Sequence, residues 1–175
     1  MEAILNSVQA GCLQPLAEVI CVFSNNETAY GLERAEKRGV STRVIASRGK
    51  RRSLYNQELK DWLEEINPDF IILAGYMLII PAGIISMFPE RIINIHPADT
   101  RQHQGLYGYE WAWENRLAAT KITIHYVDQG LDTGSIIAQK EVNLEGVKSL
   151  AEVEMRGLKV EHEFYSKVLE QLLKQ

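Results

Sequence analysis

Residues 70–74 read Phe-Ile-Ile-Leu-Ala, five apolar positions in a row, and Gly75 closes the run. Successive side chains of a strand point to opposite faces, so a strand that is apolar at every position is covered on both sides. Helices cover a sheet on both sides, and they come between the strands of a parallel sheet. This short run constrains the fold more than any other stretch, because it asks for helices before and after it.

The flanking sequence supplies them. Residues 2–10 read as a helix stopped by Gly11, and residues 18–23 as a buried strand ended by Ser24-Asn25-Asn26. Asn26 is a candidate cap for a helix over 28–38, with Gly39 as its stop. A strand follows at 40–46, then a basic loop at 47–53. The helix at 54–66 carries Leu54, Leu59, Leu63 and Ile66 on one side, and Pro68 closes it. After 70–74 the pattern predicts a helix at 81–88, a strand at 91–96, a helix at 107–117, strands at 120–127 and 135–142, and a terminal helix at 149–173. Ser149 and Glu152 have the spacing of a capping box at its start. The fold class read from this alternation is α/β, with a mainly parallel sheet and helices on both faces.

The chain has 175 residues, and no repeat, low-complexity block or linker divides it, so 1–175 is read as one domain. Nineteen basic against 23 acidic residues leave a net charge of −4. That gives no basic surplus for a phosphate backbone, so no nucleic-acid partner is expected. No apolar run approaches the roughly 18 residues of a membrane span, and the first residues lack a secretory pattern. Cys12 and Cys21 have no metal-ligand spacing; a reducing, cytoplasmic setting is expected.

In such sheets the reactive groups sit past the carboxyl ends of the strands. Three ends carry chemistry: Ala74-Gly75-Tyr76-Met77, Asn94-Ile95-His96-Pro97, and the segment 127–134 with Asp132 between Gly130 and Gly134. Asn94 and His96, two apart, point the same way. An amide and an imidazole side by side can both donate to one developing oxyanion, and a carboxylate near the histidine raises its pKa. The set suits transfer of an acyl-type carbon to an amine. No serine or cysteine sits in a nucleophile motif, so no covalent intermediate is called for. The plainer readings stand beside this one. Asn94 and His96 also suit structural roles, Asp132 suits a turn, and His125 suits a satisfied core position. His103 and His162 show no partner. Arg48, Lys50, Arg51 and Arg52 read as a solvated loop, and Tyr107, Tyr109, Trp111 and Trp113 as packing.

Taken in order, these motifs resemble the phosphoribosylglycinamide formyltransferase family over nearly the whole chain. The matching segments are Ser24-Asn25 with Ala29-Tyr30-Gly31-Leu32-Glu33-Arg34-Ala35, then Leu73-Ala74-Gly75-Tyr76-Met77, Asn94-Ile95-His96-Pro97, His125-Tyr126-Val127, Leu131-Asp132-Thr133-Gly134 and Glu161-His162. The resemblance implies a Rossmann-like formyltransferase fold. It also implies transfer of the formyl group of 10-formyltetrahydrofolate to the amine of glycinamide ribonucleotide, in purine biosynthesis. His96 then donates the proton and stabilises the oxyanion, Asn94 binds the same oxygen, and Asp132 raises the pKa of His96 and organises a proton-shuttling water. The folate lies along Met77, Leu78, Ile79 and Ile80 and the 127–132 loop with Val127, with Arg52 and Asn94 as further contacts. Gly75, Pro97 and Glu161 fall to the acceptor. No metal is implied, the partners are small molecules, and the chain is a monomer or homodimer.

Three departures from the family pattern shape the expectations. The family begins with a strand and a Gly-Ser-Asn phosphate loop, whereas this sequence starts just after them. Either the start is assigned too late, or the chain is a truncated form, for which a sheet edge or gap, lower stability and weaker nucleotide binding are expected. Ala98-Asp99-Thr100-Arg101 and Gly105-Leu106-Tyr107-Gly108-Tyr109 differ from the usual segment, and Leu78 stands where an arginine is common. Two alternatives remain at this point: a formylfolate enzyme acting on another amine or on water, and a non-catalytic folate-binding relative.

Overall fold

The computed structural model describes residues 1–174. Its elements run α1 (Glu2–Ala10), β1 (Val22–Ser24), α2 (Tyr30–Glu36), β2 (Thr42–Val44), α3 (Arg52–Ile66) and β3 (Ile71–Ile72). They continue with α4 (Ala82–Met87), β4 (Ile92–His96), α5 (Gly108–Glu114), β5 (Ala119–Tyr126), β6 (Ile136–Asn143) and α6 (Leu150–Leu173). This is the α/β alternation the apolar runs predict.

Each helix has a local reason for its ends. The α1 helix stops at Gly11, where a Cβ would come within 2.8 Å of the Ser7 backbone. Asn67 leaves α3 in the left-handed conformation, with its N–H on the Leu63 carbonyl, and Pro68 prevents continuation. At α6 the Ser149 hydroxyl accepts from the Glu152 N–H, while the Glu152 carboxylate reaches back to the N–H of Lys148. Asn26 does not cap α2. Its carboxamide accepts from the N–H and hydroxyl of Thr28, forming a turn before the helix starts at Tyr30.

The strands form two sheets. β1 and β2 pair in parallel, and β3-β4-β5-β6 form the second sheet, with β3–β4 parallel and β4–β5 and β5–β6 antiparallel. Parallel pairing thus carries the first half of the fold, and an antiparallel hairpin extends the second. Between β1 and β3 lies an apolar cleft of about 470 Å³, lined by Phe23, Trp62, Leu63, Ile66 and Ile72 among others. With neighbours on one side only, β1 and β3 are shorter than their apolar runs suggest.

β4 is the strand that matters for chemistry. On one face Ile92 joins the core of Leu59, Leu63, Ile84 and Phe88 beneath α3 and α4. On the other, Ile93 packs with Ile124, Tyr165, Val168 and Leu169 of β5 and α6. The Tyr165 hydroxyl, buried between them, lies 3.0 Å from the carbonyls of Leu73 and Ile93 and ties α6 to the strand ends. Strand alternation then places Asn94 and His96 on the Ile92 face, past the end of that core.

Candidate active site

Antiparallel register sets Asn94 opposite His125 and His96 opposite Thr123. The four side chains therefore share one face of the sheet. The third component comes from the loop after β5. There Asp128 accepts from the Gly130 N–H at 3.0 Å and the Thr133 hydroxyl at 2.7 Å, which folds the loop back on itself. Asp132 sits at its inner side with φ of 52°, a left-handed conformation that aspartate tolerates. Gly134 closes the loop against the Tyr126 carbonyl, only 1.8 Å from where a Cβ would stand.

The sequence places Asn94 and His96 at one strand end and Asp132 at another, and the fold brings them together. His96 Nδ1 is 3.4 Å from Asp132 Oδ2. The Asn94 amide, with two hydrogens, donates to Asp132 Oδ1 at 3.4 Å and faces His125 Nε2 at 3.3 Å. The Gly105 N–H donates to Asp132 Oδ2 at 2.8 Å. His96 is buried, and its Nε2 donates to the His103 carbonyl at 3.1 Å.

Electrostatics correct one expectation. Asp132 does favour the charged form of His96, but burial acts more strongly in the opposite direction, and the His96 pKa lies below its ordinary value. The ring is therefore neutral at pH 7. Burial pushes the Asp132 carboxyl up, yet the His125 ring beside it, the hydrogen bond from the Gly105 N–H and the nearby His96 imidazole together hold it below the usual range. The carboxylate stays ionised beside a neutral imidazole.

Two further histidines belong here: His125, read from the sequence as a satisfied core position, and His103, which showed no partner. His125 is buried in contact with both Asn94 and Asp132, its Nε2 3.4 Å from Asp132 Oδ1, and its Nδ1–H donates to the Tyr126 carbonyl at 2.8 Å. Its register opposite Asn94 was the signal, and it needs the antiparallel pairing to be read. His103 stacks on Trp111, with centroids 4.9 Å apart, and donates from Nε2 to the Leu106 carbonyl. Nothing local in the sequence points to that contact.

The residues assigned to the folate divide by orientation. Met77 and Ile79 are exposed, as are Leu106 and Leu131 by the Asp132 loop. Ile80 instead turns into the core, and Leu78 and Val127 pack against the same cluster, so these three offer backbone more than side chain. Arg52 reaches the 77–80 segment and donates to the Ile79 carbonyl at 2.7 Å. Among the acceptor residues, Gly75 and Glu161 line a second cavity of about 210 Å³ with Ile4, Ile95 and Tyr165. Pro97 lies instead against the start of α5, where Gly108 has no room for a Cβ. Glu161 accepts from the Tyr109 hydroxyl, and burial raises its pKa. Among the described residues no group of three or more His, Cys, Asp or Glu is arranged to hold a metal ion.

Behind the site, Asp99 is buried at the start of the 98–106 loop. Burial alone would raise its pKa, but hydrogen bonds from Lys121, Gln139 and the Arg101 N–H, with the Lys121 charge, bring it down to about 2. A carboxyl lowered on folding contributes stability above its unfolded value of 3.8 and loses it as pH falls toward 2. The Asp99→Asn variant is therefore expected to lose about 2 kcal/mol at pH 7 and to show a shallower fall in stability between pH 4 and 3. Urea midpoints of both proteins across that range check this.

Comparison with known proteins bears on what this arrangement is. Residues 1–169 match the family model described as formyl transferase. The phosphoribosylglycinamide formyltransferase of Dictyostelium discoideum is 34% identical, over 93% of this chain and 86% of its own length. That of Escherichia coli (strain K12) is 32% identical, over 97% of this chain and 79% of its own. Among solved structures, phosphoribosylglycinamide formyltransferase from Bacillus halodurans superposes with a TM-score of 0.92 and 33% identity, covering 99% of this chain and 89% of that one.

Proposed function

The chain belongs to the formyl transferase family, and we propose that it moves the formyl group of 10-formyltetrahydrofolate onto the amine of glycinamide ribonucleotide, a step of purine biosynthesis. The observation that carries the reading is the convergence of Asn94, His96 and Asp132 at the carboxyl end of β4, in a chain so similar to enzymes named for that reaction. Glycinamide ribonucleotide as the acceptor comes from those relatives. The direct transfer is supported by the site, whose amide, imidazole and carboxylate suit oxyanion stabilisation and proton transfer.

The surface fits a formylfolate. Exposed Met77, Ile79, Leu106 and Leu131 present apolar area beside the polar cluster, and the Arg52 guanidinium stands at the end of the 77–80 segment. The folate supplies a formyl group already activated on nitrogen. Asn94 donates from Nδ2 to the formyl oxygen as charge develops there. The incoming amine forms the new C–N bond and sheds a proton by way of Asp132. His96, neutral at the outset, takes up that proton at Nδ1, on the Asp132 side, and its charge then stabilises the oxygen. His96 finally passes the proton to the folate nitrogen as the old C–N bond breaks, so one proton is transferred and none accumulates. Gly75 and Glu161 border the cavity assigned to the acceptor.

Steady-state loss of formylfolate, measured with glycinamide ribonucleotide, with other amines and with none, tests the reading. Turnover that requires glycinamide ribonucleotide is expected. Equal turnover without any amine, with release of formate, would make the protein a hydrolase.

A further inference from the structure

The backbone of the 98–106 loop touches both partners of the proposed proton transfer. The His103 carbonyl meets His96 Nε2 at 3.1 Å, and the Gly105 N–H meets Asp132 Oδ2 at 2.8 Å. The cause of this placement can be followed back one residue at a time. The His103 N–H donates to the Asp99 carbonyl at 2.9 Å, and the Gln102 N–H donates to the same oxygen at 2.8 Å. The peptide groups flanking His103 are therefore held at both ends, by Asp99 on one side and by His96 on the other.

Asp99 is itself anchored to the sheet. Its side chain is 8% exposed. Oδ2 accepts from Lys121 Nζ of β5 at 2.7 Å, and Oδ1 accepts from Gln139 Nε2 of β6 at 3.0 Å and from the Arg101 N–H at 3.2 Å. Gln139 Nε2 also lies 2.8 Å from Thr123 Oγ1, and the Thr123 hydroxyl donates to the Ala98 carbonyl at 2.6 Å. Thr123 is the register partner of His96. The carboxylate thus locks the loop to the strands that carry the site. On the far side, the stack of His103 on Trp111 completes the fixation.

We propose that Asp99 is a positioning residue for the reaction: by anchoring the 98–106 loop it keeps the His103 carbonyl on His96 Nε2 and so decides which ring nitrogen of His96 holds the proton. A carbonyl can only accept, so the neutral ring carries its hydrogen on Nε2. Nδ1 is left with a lone pair facing Asp132, ready to take a proton. Without the loop carbonyl, Asp132 would favour the opposite tautomer, with hydrogen on Nδ1 and no vacancy on the side where the amine's proton arrives.

The catalytic part of this inference rests on the function proposed above, whereas the tautomer does not, and the test separates them. The charged and titratable groups facing His96 are Asp132 from the loop after β5, His125 from β5 and His103 from its own loop; Lys121 and Arg101 face Asp99. Nitrogen-15 spectra of the imidazole rings, recorded without ligand, are expected to show the Nε2–H form of His96 in the unmodified protein. In Asp99→Asn a substantial Nδ1–H population should appear. Trp111→Leu, which frees the His103 ring while leaving Asp99 intact, should move the tautomer in the same direction.

In turnover, Asp99→Asn should lower kcat by roughly 10-fold with KM for formylfolate changed by less than about 2-fold. The acid limb of its kcat profile should move to lower pH, since an acceptor that favours the His96 cation has been withdrawn. Lys121→Arg, with Asp99 unmodified and the ion pair kept, should show a profile close to the original. An unchanged His96 tautomer in folded Asp99→Asn would overturn the proposal, as would a loss of kcat without any shift of the acid limb. Tautomer changes in a protein with no formyl transfer would leave the positioning intact and overturn the function.

Discussion

His96→Ala is expected to slow formyl transfer by roughly 10²–10³-fold, while the affinity for a folate analogue changes by less than about 3-fold. The difference follows from where the ring acts. His96 is buried beneath the site, with its nitrogens engaged by Asp132 and the His103 carbonyl, and it presents no apolar face among the exposed Met77, Ile79, Leu106 and Leu131. Ground-state binding therefore loses little when the ring is removed. The transition state loses a proton acceptor and the positive charge that follows, and a missing group of this kind is equivalent to roughly 3–4 kcal/mol. Rates at saturating substrate, with fluorescence titration of the analogue, check both halves. A binding loss as large as the rate loss would assign His96 to ground-state binding.

Gly134→Ala is expected to be the most damaging single substitution in the Asp132 loop. A Cβ there would lie 1.8 Å from the Tyr126 carbonyl oxygen and 2.8 Å from its carbon. Both are backbone atoms of β5, so no side-chain rotation relieves the clash. The Tyr126 carbonyl also receives the His125 Nδ1–H, and the displaced segment carries Asp132. Overpacking against backbone costs about 3 kcal/mol, and a chain of this length then melts roughly 6–12 °C lower. Turnover should fall at least about 10-fold at temperatures where the variant remains folded, because Asp132 no longer meets His96 within hydrogen-bonding reach. Calorimetry, with activity measured well below the transition, checks the pair of effects.

The parts of this molecule that were legible in advance are those that depend on neighbours in sequence. The apolar runs gave the order of strands and helices, and the two-residue spacing of Asn94 and His96 placed them on one face. Asp132 between two glycines gave a tight loop, and its left-handed conformation accords with that. The extents of β1 and β3 were less legible, because a ladder forms only where a partner strand lies alongside, and the cleft leaves each with one neighbour. The role of His125 depends on an antiparallel register, and that of His103 on a backbone carbonyl meeting a ring seven residues earlier. The net direction of the His96 pKa was not legible for the same reason. The nearby carboxylate is visible as a motif, whereas the burial that outweighs it is a property of the assembled fold.

The most direct measurement is a single turnover with formylfolate labelled with carbon-13 at the formyl carbon, followed by NMR in the presence of glycinamide ribonucleotide. The unmodified protein should move the label one-to-one from the folate nitrogen to the ribonucleotide amine, with no formate. Asn94→Ala, His96→Ala and Asp132→Asn should each retain bound folate while the transfer step slows by at least about 100-fold. Label that emerges as formate, or transfer that proceeds at the original rate without His96, would contradict the account.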